Sequence, residues 1–383
     1  MMIEQAVLNR YSTAAAKREE SLCCPVTYDQ KYLKIIPQEV LDRDYGCGDP
    51  SQYLREGETV LDLGSGGGKI CFIASQVVGS SGRVIGVDMN DEMLALARKA
   101  NSEVSKRLGY ANVEFRKGKI QDLRVDRGTL DDWLKRNPIK SESDLTAFES
   151  YVKQMSETSP MIPDGSIDVV ISNCVLNLVN HKDKPILFQE IYRALKRGGR
   201  AAISDIVSDE SVPLELQQDP DLWSGCISGA LQEYEFLRVF EDAGFYGITI
   251  AKRDEKPWRT VQGIEFRSIT VLAYKGKEGP CWDHKEAVVY KGPFQEITDD
   301  DGHQYRRGVR VSVCRKTFNI LGCEPYANHF EFIRPVKEVP EEQAQPFPCT
   351  KEMLVRSPRE TKNEEYSMTN EDNSPGCKPG TCC

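Results

Sequence analysis

The sequence predicts an α/β protein organised around a doubly wound, mostly parallel sheet, and three observations predict it. Short apolar runs alternate with helical patterns; a glycine-rich turn, Asp62-Leu63-Gly64-Ser65-Gly66-Gly67-Gly68, joins a strand directly to a helix; and Asp88 ends the next strand 20 residues beyond Gly68. Thr59 to Leu63 reads as the first strand and Ile70 to Val78 as the helix after the turn. Arg83 to Asp88 is the second strand, Asn90-Asp91 caps a helix carrying Met93, Leu94, Leu96 and Ala97, and Gly109 ends it before the strand Asn112 to Phe115. Ser166 to Ser172 is the fourth strand, Lys184 to Lys196 a helix stopped at Gly198-Gly199, and Arg200 to Val207 the next strand. Ser268 to Lys275 is the last strand of this part.

Four regions follow from this reading: an N-terminal segment 1–46, an α/β domain 47–278, a small domain 279–335 and a tail 336–383. Polar helical sequence at 123–163, such as Leu130 to Lys135 and Ser143 to Met155, reads as an insertion in the α/β domain. Gly279-Pro280 marks the boundary of the small domain, where short strands alternate with Gly and Asp turns. From Val336 onward Pro, Glu, Thr, Asn and Ser dominate, so a disordered, cysteine-containing tail is expected.

Composition excludes several functions. Lys and Arg number 50 against 59 Asp and Glu, a net charge of −9, which disfavours nucleic acid and anionic lipid as partners. No apolar run approaches the roughly 18 residues of a membrane span, and the N-terminus lacks the apolar core of a secretory signal, so a cytoplasmic location is expected. There the 13 cysteines stay reduced, and no C-x2-C pair accompanies the histidines at 181, 284, 303 and 329. Structural zinc is therefore not expected, and Cys281, Cys314 and Cys323 read as small buried hydrophobes.

Two cysteines are placed for chemistry by position. Ligands of open α/β sheets lie beyond the carboxyl ends of the strands, and Cys174 follows the fourth strand directly. Cys71 lies in the first turns of the helix after the glycine loop, where the helix dipole favours a reactive thiolate. Trp223 precedes Cys226 by three residues, a spacing that would let indole and thiol share one face of a helix, although such a tryptophan is more often simply core.

The loop pattern Asp-x-Gly-x-Gly-x-Gly resembles the first motif of S-adenosylmethionine-dependent methyltransferases, although a dinucleotide site would also explain the loop and Asp88. Tyr45-Gly46-Cys47-Gly48, Cys71, Ser172-Asn173-Cys174-Val175-Leu176-Asn177-Leu178 and Leu222-Trp223-Ser224-Gly225-Cys226 together resemble the arsenite methyltransferases, over roughly residues 23–275. Trp258-Arg259-Thr260-Val261 and the cysteine-rich end are similar to the branch associated with arsenosugar biosynthesis. The resemblance implies a Rossmann-like class I methyltransferase sheet and a cofactor site of Asp62, Gly64, Ser65, Gly66, Gly68, Asp88, Met89, Ile120, Gln121 and Asn173. It also implies Cys174 and Cys226 as principal arsenic ligands, with Cys47 and Cys71 as third ligand, relay and reducing pair. Implied partners are arsenite or its thiol conjugates and an external thiol reductant such as glutathione or thioredoxin. Cys23-Cys24 and Cys377, Cys382 and Cys383 are candidates for arsenic capture or thiol exchange. The sequence is also compatible with two other functions: a carbon or oxygen methyltransferase of a small, quinone-like molecule, and a non-enzymatic arsenic-binding protein.

Overall fold

The computed structural model describes residues 2–19, 22 and 26–362. They form two units, one ending at Gly276 and one beginning at Lys277. The first is built on strands β1 (Thr59–Leu63), β2 (Arg83–Asp88), β3 (Val113–Lys117), β4 (Ile167–Asn173), β5 (Leu195–Ser208), β6 (Tyr246–Arg253), β7 (Arg259–Val261) and β8 (Ile264–Tyr274). Their order is β3-β2-β1-β4-β5-β8-β6, with β7 paired to β8. β1 to β5 run parallel, while β8 is antiparallel to β5 and β6.

Both sheet faces are covered, so successive strand residues bury to opposite sides. Leu61, Leu63, Val170 and Ile203 pack against Leu187, Phe188, Phe236 and Phe240, whereas Val60, Val169 and Ala202 pack against Phe72, Ile73, Leu94 and Ala97. Each fully buried Leu or Phe contributes about 1.5–3 kcal/mol. The chain leaves β1 first towards β2 and later towards β4, so the sheet has its topological switch point between β1 and β4. A crevice at the carboxyl ends of these two strands is the geometric consequence.

Local chemistry explains the helix limits. Asn90 caps the helix Asp91–Leu108 by accepting from the Met93 N–H at 3.0 Å, and Gly109 ends it at φ +80. The helix after β4 stops earlier than its sequence indicates, at Ala194, because Leu195 already pairs with Ile167; Gly198 at φ +82 lies within β5 rather than before it. The insertion forms the helices Arg127–Arg136 and Glu142–Thr158, joined by Trp133 stacked on Tyr151 at 5.0 Å. Helix Met2–Ala16 belongs to the first unit: Arg10 donates to the Asp221 carbonyl at 2.8 Å and Asn90 donates to Ser12 Oγ at 3.0 Å.

In the second unit, strand Ala287–Tyr290 lies between Arg310–Ser312 and Phe330–Ile333 over a core of Val288, Tyr305, Phe318 and Phe330. The expected tail requires correction here. Residues 336–362 are held by a strand pairing of Gln345–Pro346 with Trp282–Asp283 and by buried Arg356, which donates to Asp283 at 2.6 Å and to Glu360 at 2.8 Å. Few of these residues are large and apolar, and backbone pairing and this partly buried ion network anchor them together with Met353, which packs against the core. Cys23, Cys24, Cys377, Cys382 and Cys383 lie outside the described residues. No helix among the described residues is long and apolar enough to cross a membrane.

Candidate functional site

The glycine loop is shaped by β2. Val87 O accepts from the N–H groups of both Gly64 and Ser65, at 2.8 and 3.1 Å, which folds the loop back over the second strand. Gly64 has φ +73, and a Cβ there would lie 2.4 Å from Val175, so only glycine fits. Asp88 accepts from Gly66 N–H at 2.9 Å and Asn90 N–H at 2.8 Å, one oxygen each. Burial pushes the Asp88 carboxyl up from its ordinary range, and these N–H donors oppose the shift.

A cleft opens between this loop and the end of β4. Asp62, Gly64, Ser65, Gly66, Asp88, Met89, Ile120, Gln121 and Asn173 all line it. Gly68 does not; it starts the helix Lys69–Val78 and faces Phe115 and Phe72 in the core. Ser65 Oγ is buried with no hydrogen-bond partner, and nothing lies within 4 Å of the position a Cβ would take on Gly66. An unsatisfied hydroxyl and open space over half-buried loop backbone fit a bound polar ligand such as a nucleoside cofactor.

Cys174 stands at the other end of the cleft. The Sγ atoms of Cys47 and Cys174 and a carboxylate oxygen of Asp205 lie within 4.8 Å of one another, all three residues buried. The Cys226 thiol lies outside that group and donates from Sγ to the Cys174 carbonyl at 3.2 Å. Cys174 and Cys226 have φ +62 and +60, the left-handed region that costs an L-residue with a side chain roughly 1–2 kcal/mol. The surroundings hold them there: Cys174 N–H donates to Ser204 O at 2.8 Å, and Asn177 donates to Ile206 O at 2.6 Å and to Cys226 O at 3.4 Å. Strain at two adjoining thiols points to a positional requirement at these residues.

Cys47 is held from below by Asn173. Asn173 Oδ1 accepts from the N–H groups of Cys47 and Gly48 at 2.9 and 3.0 Å, and Nδ2 donates to Gly48 O at 2.8 Å and Tyr28 Oη at 3.2 Å. Gly46 permits this approach, since a Cβ would lie 2.1 Å from Asn173 Nδ2. The amide therefore clamps the Cys47 loop, a role its sequence context does not reveal.

Cys71 departs from its expectation. Its Sγ donates to Asp62 Oδ2 at 3.1 Å and is fully buried, outside the group formed by Cys47, Cys174 and Asp205. Burial pushes the thiol well above its usual range and Asp62 adds to the shift, so the helix dipole does not make it a thiolate. Asp62 in turn is pushed up to about 7, first by burial and then by Asp88 and Asp44, against the Cys71 hydrogen bond. Trp223 and Cys226 do not share a helix face either: the helix ends at Ser224, and Trp223 packs inward, donating to Leu178 O at 3.2 Å with His181 edge-on at 5.3 Å.

Three participants escaped sequence reasoning. Asp205, within the apolar run of β5, is fully buried and pushed up to about 6, chiefly by burial and against the charge of Lys184. Lys184 donates to Leu176 O at 2.6 Å and is lowered to about 8 by burial, which Asp205 opposes. A lone carboxylate inside an apolar strand was the available signal for Asp205. Tyr11, on the N-terminal helix, lines the cleft with its hydroxyl 3.7 Å from Cys226 Sγ; no local pattern announces it.

A family model described as a methyltransferase domain matches residues 54–156 and 135–244, and one described as a domain of unknown function (DUF8838) matches residues 277–366. An arsenite methyltransferase from Aquipseudomonas alcaligenes is 32% identical over 350 residues, covering 86% of this chain and 91% of its own. That of Homo sapiens is 30% identical over 319 residues, covering 80% and 75%. The crystal structure of an arsenic(III) S-adenosylmethionine methyltransferase from Chlamydomonas reinhardtii superposes with a TM-score of 0.55 at 28% identity, covering 82% of this chain and 99% of that one.

Proposed function

The chain belongs to the arsenite methyltransferases, and from that premise we propose how its residues divide the methylation of trivalent arsenic by S-adenosylmethionine. The observation that carries the assignment is that Cys174 lines the end of the cleft formed by the glycine loop, with the Cys47 thiol within 4.8 Å of its own and Cys226 hydrogen-bonded to its carbonyl, all three in one buried cluster. Asp88, Met89, Ile120 and Gln121 would hold the nucleoside, and the loop from Gly64 to Gly66 with Ser65 Oγ and Asp62 would hold the amino acid part. Bound there, S-adenosylmethionine supplies an electrophilic methyl group on a sulfonium sulfur.

Cys174, Cys226 and Cys47 bind the substrate. Trivalent arsenic is soft and prefers thiolates; each arsenic–sulfur bond replaces an arsenic–oxygen bond, and the thiol proton leaves with the hydroxide as water. Asp205, close to two of these sulfurs and near neutrality in its affinity for protons, receives and returns such protons during exchange. A three-sulfur pyramid would leave the arsenic lone pair free to accept a methyl group. Attack then needs alignment rather than a strong base, and the two strained cysteines and the Asn173 clamp supply that alignment.

Transfer leaves arsenic formally pentavalent. Two chain thiols return two electrons by closing to a disulfide, and an external thiol reductant such as glutathione or thioredoxin reopens it. Cys71 is reserved for this reducing step and must release Asp62 to enter it. A reducing compartment such as the cytoplasm suits this cycle. A carbon or oxygen methyltransferase would leave the buried thiols without a role. The test is product analysis: arsenite, S-adenosylmethionine and a thiol with purified protein should yield methylated arsenic, and no such product with any thiol would remove the assignment.

A further inference from the structure

A second group of cysteines assembles in the unit that begins at Lys277, where the methylation reaction has no assigned residue. The Sγ atoms of Cys281, Cys314 and Cys349 lie within 4.8 Å of one another. Three distant stretches of chain build the group. Cys281 precedes strand Trp282–Asp283, which pairs with Gln345–Pro346, and Phe347 N–H donates to the Cys281 carbonyl at 2.8 Å, fixing the start of the loop that carries Cys349. Cys314 Sγ accepts from Thr317 N–H at 3.4 Å, which sets its direction. Cys314 is buried, Cys281 half-buried and Cys349 exposed, so the group has a closed floor and an open side. The sequence reading of Cys281 and Cys314 as isolated packing residues does not survive this arrangement, and Cys323 is exposed rather than buried.

We propose that Cys281, Cys314 and Cys349 form a second arsenic site, which binds a trivalent arsenical through three sulfurs. Thiolate bonds of about 2.3 Å to a central ion place ligand sulfurs under about 4.6 Å apart, and a small shift of exposed Cys349 closes the observed spacing. The number of donors selects the ligand. Structural zinc takes four donors, and among the described residues no further Cys, His, Asp or Glu joins these three, whereas trivalent arsenic fills its fourth position with its own lone pair. Capture is balanced without a redox partner: three arsenic–oxygen bonds break, three arsenic–sulfur bonds form, three thiol protons leave with three hydroxides as water, and arsenic stays trivalent. The choice of arsenic rests on the family assignment above, while the site itself rests on the geometry of this unit.

Reduced full-length protein is equilibrated with arsenite and desalted, and arsenic per chain is counted by elemental mass spectrometry, with coordination read by X-ray absorption. Cys349→Ser, at an exposed position, and Cys281→Ser/Cys349→Ser, which spares buried Cys314, are each expected to lose one arsenic per chain and to retain arsenite methylation. Cys174→Ser/Cys226→Ser should lose a different arsenic together with methylation, and the remaining arsenic should keep three sulfur neighbours. Unchanged arsenic content in both Cys349 variants overturns the second site while leaving the active site standing. Zinc bound to the wild type, lost from Cys349→Ser and not displaced by arsenite overturns it in favour of a metal site. If arsenic content falls in none of the variants, the arsenic assignment of both sites fails together.

Discussion

Cys226 turns its thiol back onto Cys174, donating from Sγ to the Cys174 carbonyl at 3.2 Å, and both residues hold left-handed backbone. Glycine would adopt these torsions without cost, so cysteine is kept at both positions against its conformational preference. Cys226→Gly should therefore be more stable than Cys226→Ala by about 1 kcal/mol, although alanine fills more of the site. Thermal melts should place the glycine variant about 2–4 °C higher, and neither variant should methylate arsenic. An alanine variant that melts higher would show that the torsion carries no strain.

Asp88 joins the glycine loop to the second strand before any ligand arrives, through Gly66 and Asn90. Asp88→Ala removes the proposed ribose acceptor and loosens the loop, and charged hydrogen bonds of this kind are worth about 1.5–3 kcal/mol. Calorimetry should show S-adenosylmethionine binding weakened roughly tenfold or more, with arsenite binding almost intact. An unchanged dissociation constant would reject the ribose assignment.

Asp62 gives the protein a pH signature. Its carboxyl has an ordinary value of 3.8 and is raised to about 7 when folded, so between these values the native state binds the extra proton. Its contribution to stability is full below the lower value and is lost as pH rises through the upper one. Denaturant midpoints should accordingly fall for the wild type relative to Asp62→Asn between pH 4.5 and 8. A constant difference between the two proteins across that range would contradict the buried, proton-retaining carboxyl.

Asn173 positions Cys47 without carrying sulfur chemistry. Asn173→Ala should lower the rate of arsenite methylation by about tenfold or more, since a loss near 1.4 kcal/mol of alignment is a factor of ten. Arsenite, which needs all three sulfurs, should suffer more than methylarsenite, which has fewer positions to fill. Equal losses on the two substrates would argue that Asn173 acts on the cofactor instead.

The parts of this protein legible in its sequence are those fixed by local pattern. Thr59 to Leu63, the glycine loop and Arg83 to Asp88 are contiguous signals, and Cys174 was found because strand ends line the cleft of such sheets. What required the structure depends on distant pairing or on side-chain direction. Periodicity cannot say that Cys71 turns towards Asp62, nor that a single helix break leaves Cys226 beyond the face of Trp223. Asp205 and Lys184 read as ordinary charges until their burial beside the thiols is seen. The Cys281, Cys314 and Cys349 group depends on a two-residue strand pairing, too short to register as a pattern, and residues 336–362 are anchored by Arg356 and Met353, isolated residues that form no apolar run.

The central claim is that Cys174 and Cys226 hold arsenic for transfer, with Cys47 and Cys71 serving capture and reduction. The direct measurement is the yield of methylated arsenic from arsenite and from methylarsenite for Cys174→Ser, Cys226→Ser, Cys47→Ser and Cys71→Ser, with circular dichroism and S-adenosylmethionine affinity measured on each. The first two should lose product from both substrates while keeping cofactor affinity, because a hard hydroxyl cannot replace a soft thiolate. The second two should lose arsenite turnover more severely than methylarsenite turnover. Methylation at the wild-type rate by folded Cys174→Ser or Cys226→Ser would contradict the claim.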